Sequence, residues 1–469
     1  MKCGLITPIG PGHAQMFEQS CRPSIEAAWG YHHGPFDALL VYPMDDTEGR
    51  HGRSNRRNVA IEQAARDGVD WLFLLDADDI LTPNAFEAFG RILAEEPDLD
   101  AVWGLICELD AQQEPQLRPD QPERIDSHAD FLSHPPAMAV QIGGFYRTKV
   151  LAGLGFDESL DTAEDYTLYL QIWRQARCAK RPEIFFLNRR GQHSTGPRSA
   201  TGQDWRLATD RLWAGAVRET PLWAKVDHGG VAARMRVTNP LDLIQRTHLA
   251  GQFFEAEPLS RLHALIPPGA RIVDVGANVG NHVIWYAQHL APAAILPVEP
   301  NPAAIRLLDE NLAANGVERV IDRRGIGLGV GRAEGRFRAE TPDADNLGAT
   351  SLMADGAGDL RVVTLDALLG DTRIDFLKID AEGMELDVLA GAARVIARDR
   401  PVIWIEIQRA NILGFAQRWC RANGYRLADS VPYVHTMDYF AVPEAFVPPR
   451  QGRAQASASA GPLPEDIDA

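Results

Sequence analysis

Apolar positions along the chain fall in short runs whose period switches between two and 3.6 residues, the pattern of alternating strands and helices. Residues 4–9 read as a strand broken by Gly10-Pro11-Gly12, and 14–29 as a helix. A second strand, 38–42, runs on into Asp45-Asp46, and a helix over 58–67 carries Val59, Ala60, Gln63 and Ala64 at helical spacing. Trp71 to Leu75 are wholly apolar and end in Asp76, Asp78 and Asp79, which predicts a strand buried on both faces with carboxylates at its tip. A helix over 83–94 and a strand over 101–106 follow. Residues 107–140 are polar and Pro-rich without a period, and read as a loop or lid. Strands alternating with helices predict a parallel sheet, with ligands collecting outside the carboxyl ends of its strands.

A second alternating series begins at Arg271. Asp274 to His282, DVGANVGNH, reads as a strand, a Gly-rich turn and a helix start. Strands over 294–298, 361–365, 374–379 and 401–407 follow, with Glu299, Asp380 and Glu406 at or beside their ends. Pro297 is awkward inside a strand because it removes a ladder donor. Between the series, Trp205, Leu207, Leu212, Trp213 and Trp223 recur at helix-compatible intervals, with breaks at Asp227-His228-Gly229-Gly230 and Asn239-Pro240. The division is therefore a domain over 1–200, a helical linker over 201–240, a domain over 241–448 and a disordered tail over 449–469.

The strand ends carry the candidate chemistry. Neighbouring carboxylates repel unless a cation joins them, and hard oxygen donors select Mg²⁺ or Mn²⁺. Glu164-Asp165 opens a helix with Leu168, Leu170, Ile172 and Trp173 on its apolar face, a position acids also favour as dipole partners. Glu299, ending the strand next to the Gly-rich turn, is placed to accept hydrogen bonds from ribose hydroxyls. Glu406 reads as a buried acid with a structural partner.

Composition narrows the partners. A net charge of −17 over 469 residues argues against a nucleic-acid or anionic-membrane surface. The five cysteines (Cys3, Cys21, Cys107, Cys178, Cys420) lack metal-type spacing and read as free thiols of a reducing compartment. The N-terminus reads as a strand rather than a signal peptide, and no apolar run is long enough to span a membrane, so a cytoplasmic location is expected.

TPIGPGH, MDDTEG, RRNVAIEQA, FLLDADD, GGFYR and AEDYTLYL, in that order over residues 1–200, resemble the GT-A fold glycosyltransferases of the large inverting family 2. The resemblance implies a nucleotide-sugar-binding, Rossmann-like domain. Asp45 and Asp46 would contact the nucleoside, with Arg57 and Asn58 alongside, while Asp76 and Asp78 would hold Mn²⁺ or Mg²⁺ on the diphosphate. Asp165, ahead of Glu164, would be the catalytic base, and His193 a further metal ligand. The second strand departs from the family's usual Asp-Asp-Gly-Ser, reading Asp-Asp-Thr-Glu. A sugar nucleotidyltransferase would want Arg or Lys in the first loop, and TPIGPGH has neither.

DVGANVGNH, VEPNP, LKIDAEGMELDVLAGA and PVIWIEI, over residues 240–445, resemble class I S-adenosylmethionine-dependent methyltransferases, specifically the FkbM family. That implies a second Rossmann-like α/β domain and O-methylation. Asp274, Gly276, Asn278 and Gly280 would surround the methionine end of S-adenosyl-L-methionine, with Glu299 and Asn301 at the ribose. Asp380 and Glu382 would orient or deprotonate the acceptor. The joint expectation is a two-domain α/β enzyme that transfers a sugar to a glycan or other hydroxyl acceptor and methylates a hydroxyl. The alternative is a methyltransferase with a catalytically silent glycan-binding first domain. The sequence carries no reading of the oligomeric state.

Overall fold

The computed structural model describes residues 1–110, 112–189, 202–340, 351–355 and 357–449. The chain divides into two compact units, one comprising Met1–Leu222 and Val237–Leu241, the other Trp223–Arg236 and Asp242–Ala469.

The first unit is built on a six-stranded sheet in the order Ala38–Asp45, Lys2–Ile9, Trp71–Leu74, Gly144–Arg147, Ala101–Trp103, Cys178–Lys180. Every residue of Trp71–Leu74 is buried, because helices cover both faces of this central strand. The sheet is not wholly parallel: Gly144–Arg147 runs antiparallel to both neighbours. At Gly144 a Cβ would lie 2.9 Å from the Val102 carbonyl oxygen, so the crossing needs a glycine. The aromatic core stacks Phe89 on Phe145 with ring centroids 4.1 Å apart. The expected loop over 107–140 instead holds the Cys107–Leu109 and Pro115–Leu117 strands and two short helices, His128–Leu132 and Pro136–Ala139. It is pinned by the buried Lys180 ammonium, which donates to the Ala139 carbonyl and the Gln121 amide oxygen, and by the Arg118–Glu108 pair. The helix expected over 58–67 starts earlier, spanning Arg53–Arg66.

The stretch read as a helical linker is helical only over Gly202–Glu219. Leu222–His228 and Val231–Val237 then form a two-stranded hairpin. Burial alternates strictly from Leu222 to Asp227, and Gly229 and Gly230, both at positive φ, make the turn.

The second unit has a six-stranded sheet in the order Ala294–Val298, Arg271–Val275, Phe376–Ile379, Val402–Gln408, Thr436–Pro443, Tyr425–Pro432. The first four strands are parallel and the last two antiparallel. Pro297 is tolerated because its strand is the edge of this sheet. A separate four-stranded sheet holds Leu328–Val330, Leu360–Val363, Gly335–Glu340 and Ser351–Ala354. Among the described residues no helix is long and apolar enough to cross a membrane. His193 and the tail from residue 450 lie outside the described residues.

Candidate functional sites

In the first unit Lys2–Ile9, Ala38–Asp45 and Trp71–Leu74 run parallel, so Asp45 ends one strand and Asp76 follows another at the same edge of the sheet, and Arg57 ties Asp76 to the helix that starts at Glu164. Arg57, 2% exposed, joins two of these elements: Nη2 is 2.5 Å from Asp76 Oδ1 and Nη1 is 3.6 Å from Glu164 Oε1. Arg53 holds both oxygens of Glu164, at 2.5 Å from Nε and 3.0 Å from Nη2. Burial opposes ionisation of Asp76, but Arg57 and then Arg53 outweigh it, and the carboxyl is held below its ordinary range. Asp79 is the reverse case. Burial first, then the charges of Asp76 and Asp78, push its pKa well up, although it accepts from the Arg189 N–H and the Asn188 amide. Asp78 is raised by burial and by Asp76.

Asp165 makes no ion pair with the arginines, although the Arg53 charge acts on it. Its Oδ1 accepts from its own helix, at Tyr166 N 2.7 Å away, and from Trp205 Nε1 at 3.2 Å. Burial and the adjacent Glu164 raise its pKa, so the carboxylate is a better proton acceptor than a solvated aspartate.

The other candidates sit differently. Asp46 is buried and its carboxylate accepts three backbone N–H groups, from Arg50, His51 and Gly52, which ties the loop. Asp45 is exposed and accepts from Thr47 N at 2.9 Å. Asn58 does not join the group: its amide bonds both the N–H and C=O of Phe156 and the Glu158 carboxylate. Two residues escaped the sequence reading: Arg53, and His13, which lies close enough to act electrostatically on both Asp76 and Asp78.

A divalent cation is only partly prepared for. Among the described residues no group of three or more His, Cys, Asp or Glu is arranged to hold a metal ion. Asp76 already has an arginine partner, which leaves Asp78 as the carboxylate donor nearest to free. Such a set suits Mg²⁺-type binding, in which one or two carboxylates share the ion with substrate phosphates.

In the second unit the Gly-rich turn is a cradle. Gly276 has φ +82°, and a Cβ there would lie 1.9 Å from the Asp380 carbonyl oxygen. Asn278 adopts φ +48° and Gly280 φ +87° before the Asn281–His289 helix. Glu299 braces the turn: Oε2 accepts from Asn278 N and Oε1 from Asn301 N, both at 2.8 Å. Each oxygen keeps a second lone pair that can accept a further hydrogen bond. Burial pushes the Glu299 carboxyl up to about 7. Asn301 itself caps the Pro302–Ala314 helix. Asp274 is fully buried and neither carboxylate oxygen has a hydrogen-bond partner among the described residues. An orphaned buried carboxylate beside a turn of left-handed backbone suits the ammonium end of S-adenosyl-L-methionine.

Asp380 and Glu382 part company. Asp380 Oδ2 lies 3.0 Å from the buried Lys378 Nζ, and Asp380 also shares a hydrogen bond with Glu406. Glu382 is exposed at φ +45° on the following loop. Glu255 was also missed. It pairs with His282 Nε2 at 2.9 Å and accepts from the Tyr433 hydroxyl at 3.1 Å. No local motif marks it, because its partners come from distant elements.

Residues 274–427 match the Methyltransferase FkbM domain family. The AMB antimetabolite synthetase AmbE of Pseudomonas aeruginosa is 27% identical over 209 residues, which cover 36% of this chain and 10% of that protein. The chain thus spans 10% of the length of that curated relative. The S. aureus TarS 1-349 structure in complex with UDP-GlcNAc is similar at 16% identity and TM-score 0.35, covering 46% of this chain and 66% of that one. The methyltransferase FkbM of Methylobacillus flagellatus KT is similar at 18% identity and TM-score 0.28, covering 42% of this chain and 52% of that one. The chain carries a methyltransferase FkbM domain over residues 274–427, in a mixed α/β protein.

Proposed function

We propose that this chain is a bifunctional glycan-modifying enzyme. Its first unit transfers a sugar from a nucleotide sugar with inversion, and its second methylates a hydroxyl with S-adenosyl-L-methionine. The observation that carries the first half is the division of labour between neighbouring acids. Arg53 and Arg57 pair with Glu164, while Asp165 keeps a raised pKa and no cationic partner among its hydrogen bonds. A carboxylate in that state can take the acceptor's proton, a contribution of roughly 10²–10⁴-fold. One base and no covalent intermediate gives inversion. A divalent cation, Mn²⁺ or Mg²⁺, would neutralise the departing diphosphate; Asp78, with the second oxygen of Asp76, would hold it.

In the second unit Asp274 and the Gly276–Gly280 turn would receive the methionine end, Glu299 the ribose, and Asp380 would face the acceptor hydroxyl. S-Adenosyl-L-methionine supplies the methyl group.

A silent, glycan-presenting first unit is the second reading, favoured by the commitment of Asp76 to Arg57. Turnover of a panel of nucleotide sugars with Mn²⁺ separates the two. The bifunctional reading expects turnover that Asp78→Ala and Asp165→Ala abolish and a chelator removes. Binding of glycan without any nucleotide-sugar turnover would establish the silent module. Calorimetry with S-adenosyl-L-methionine tests the second unit: Glu299→Ala loses binding and Asp380→Ala keeps it.

A further inference from the structure

Ile379 and Ile405 are register partners, so Asp380 and Glu406, one residue further on, stand side by side at the ends of adjacent strands, in a group of ionisable side chains on one face of the second unit's main sheet. Asp274, Lys378 and Trp404 are register partners across three strands, and Glu406 pairs in register with Asp438. Residues two apart on a strand share a face, so Glu406 and Asp438 lie on the face that carries Trp404. Lys378 lies over the Trp404 ring at 5.5 Å from its centroid, and Trp404 Nε1 donates to Asp438 Oδ2 at 2.8 Å.

The acids facing the pair are Asp274, Asp438, Glu255, Glu382 and Glu385; the bases are Lys378 and His282; Tyr433 and Thr436 complete the surround. Lys378 fixes Asp380 as the ionised partner. Burial and then Asp380 push Glu406 up to about 9, so at neutral pH the two carboxyls share one proton. Asp274, whose carboxyl oxygens have no hydrogen-bond partner among the described residues, lies in the same field, with its pKa raised by burial.

Resting on the methyltransferase reading above, we propose that the Asp380–Glu406 pair is the proton acceptor of methyl transfer and is readied by a cationic sulfonium: it releases its shared proton to water when the cation binds, and takes the acceptor hydroxyl's proton during the reaction. The acceptor's O–H bond breaks and its oxygen forms the new O–CH₃ bond. The sulfur–methyl bond breaks with its electron pair left on sulfur, and the proton goes to the pair. Glu406 is thereby a proton-holding residue rather than a buried strand end.

The readout needs no acceptor. Calorimetry of the full chain near pH 8, in buffers of different ionisation enthalpy, counts protons released on binding. With S-adenosyl-L-methionine, proton release is expected; with S-adenosyl-L-homocysteine, whose sulfur is neutral, it is not. In Glu406→Gln the release disappears while affinity changes by less than tenfold, about 1.4 kcal/mol. Release that is equal for the two ligands, or that persists in Glu406→Gln, overturns the inference and leaves the methyltransferase reading intact. Failure of the wild-type chain to bind either ligand removes that reading, and the inference with it.

Discussion

Arg57 Nη2 stands 2.5 Å from Asp76 Oδ1 while Nη1 stands 3.6 Å from Glu164 Oε1, so one buried guanidinium ties a strand end to a helix start. The pairing gives the first unit's acids unequal roles. Asp76 and Glu164 are paired with arginines, whereas Asp78, Asp79 and Asp165 carry raised pKa values.

Removing that guanidinium leaves Asp76 without its ion-pair partner and Glu164 with Arg53 alone. Arg57→Ala is expected to cost about 3 kcal/mol, the lower end for a broken buried pair because the Asp76 side chain retains 34% exposure. Arg57→Lys rescues little, since an ammonium cannot reach two carboxylates as a planar fork does. Urea denaturation checks both: the midpoint falls and the slope stays constant. A midpoint unchanged in Arg57→Ala would mean that the network does not stabilise the unit.

Trp205 is the one side chain donating to Asp165 among the described residues. Its hydrogen bond lowers the carboxyl's pKa against the larger upward push of burial and Glu164. Trp205→Phe removes the donor and keeps the ring, so the Asp165 pKa rises further. If the proposed sugar transfer holds, the acidic limb of its pH profile then moves to higher pH, with KM for the nucleotide sugar little changed. An unshifted limb would assign Trp205 to packing alone.

Much of this could be read along the chain, and the misses have physical causes. The acids at strand ends, Asp45, Asp76 and Asp274, follow from apolar runs that stop at carboxylates. Gly276 was legible because its turn needs both positive φ and close approach to Asp380. The role of Arg53 was not, because its partner Glu164 lies 111 residues away. Asn58 has the same difficulty: its bonds to Phe156 and Glu158 cross 98 to 100 residues. The Leu222–Val237 hairpin carries two periods at once: LWAKVDH alternates as a strand, while Trp205, Trp213 and Trp223 also fall at helix-compatible intervals, and Trp223 is 38% exposed. In residues 107–140, polarity suggested a loop because the groups that satisfy its backbone, such as Lys180, lie further along the chain.

The two glycines of the methyltransferase turn separate steric demand from backbone demand. Gly276→Ala puts a methyl group on a carbonyl oxygen at 1.9 Å, which the strand cannot yield without moving Asp380. Gly280→Ala meets the end of the Leu308 side chain at 2.6 Å, which can rotate, and chiefly carries the penalty of φ +87°. The expected order is therefore loss of S-adenosyl-L-methionine binding in Gly276→Ala, and a destabilisation of roughly 1–2 kcal/mol with weakened binding in Gly280→Ala. Calorimetry and thermal melts on the same samples check it; equal effects would refute the distinction.

The acids of the second unit set a pH dependence that the unliganded chain should show. In unfolded chains Asp and Glu titrate near 3.9 and 4.3. In the fold, burial pushes Glu299 and Asp438 up to about 7 and Glu406 up to about 9. Between the unfolded and folded values the native state holds more protons than the unfolded one, so stability falls as pH rises across that window and levels off above it. Asp380 runs the other way: held low by Lys378 against burial, it contributes stability above pH ~4 that is lost as pH falls through its folded value. Glu406→Gln cannot ionise, so its melting temperature relative to wild type is expected to climb from pH 6 to pH 9. The gain is about 1 kcal/mol, discounted for the part of Glu406 that water reaches, or about 2–4 °C. Differential scanning calorimetry at the two pH values decides it. A wild-type-to-variant difference that stays constant would show that Glu406 does not titrate in this range, and the shared-proton pair would go with it.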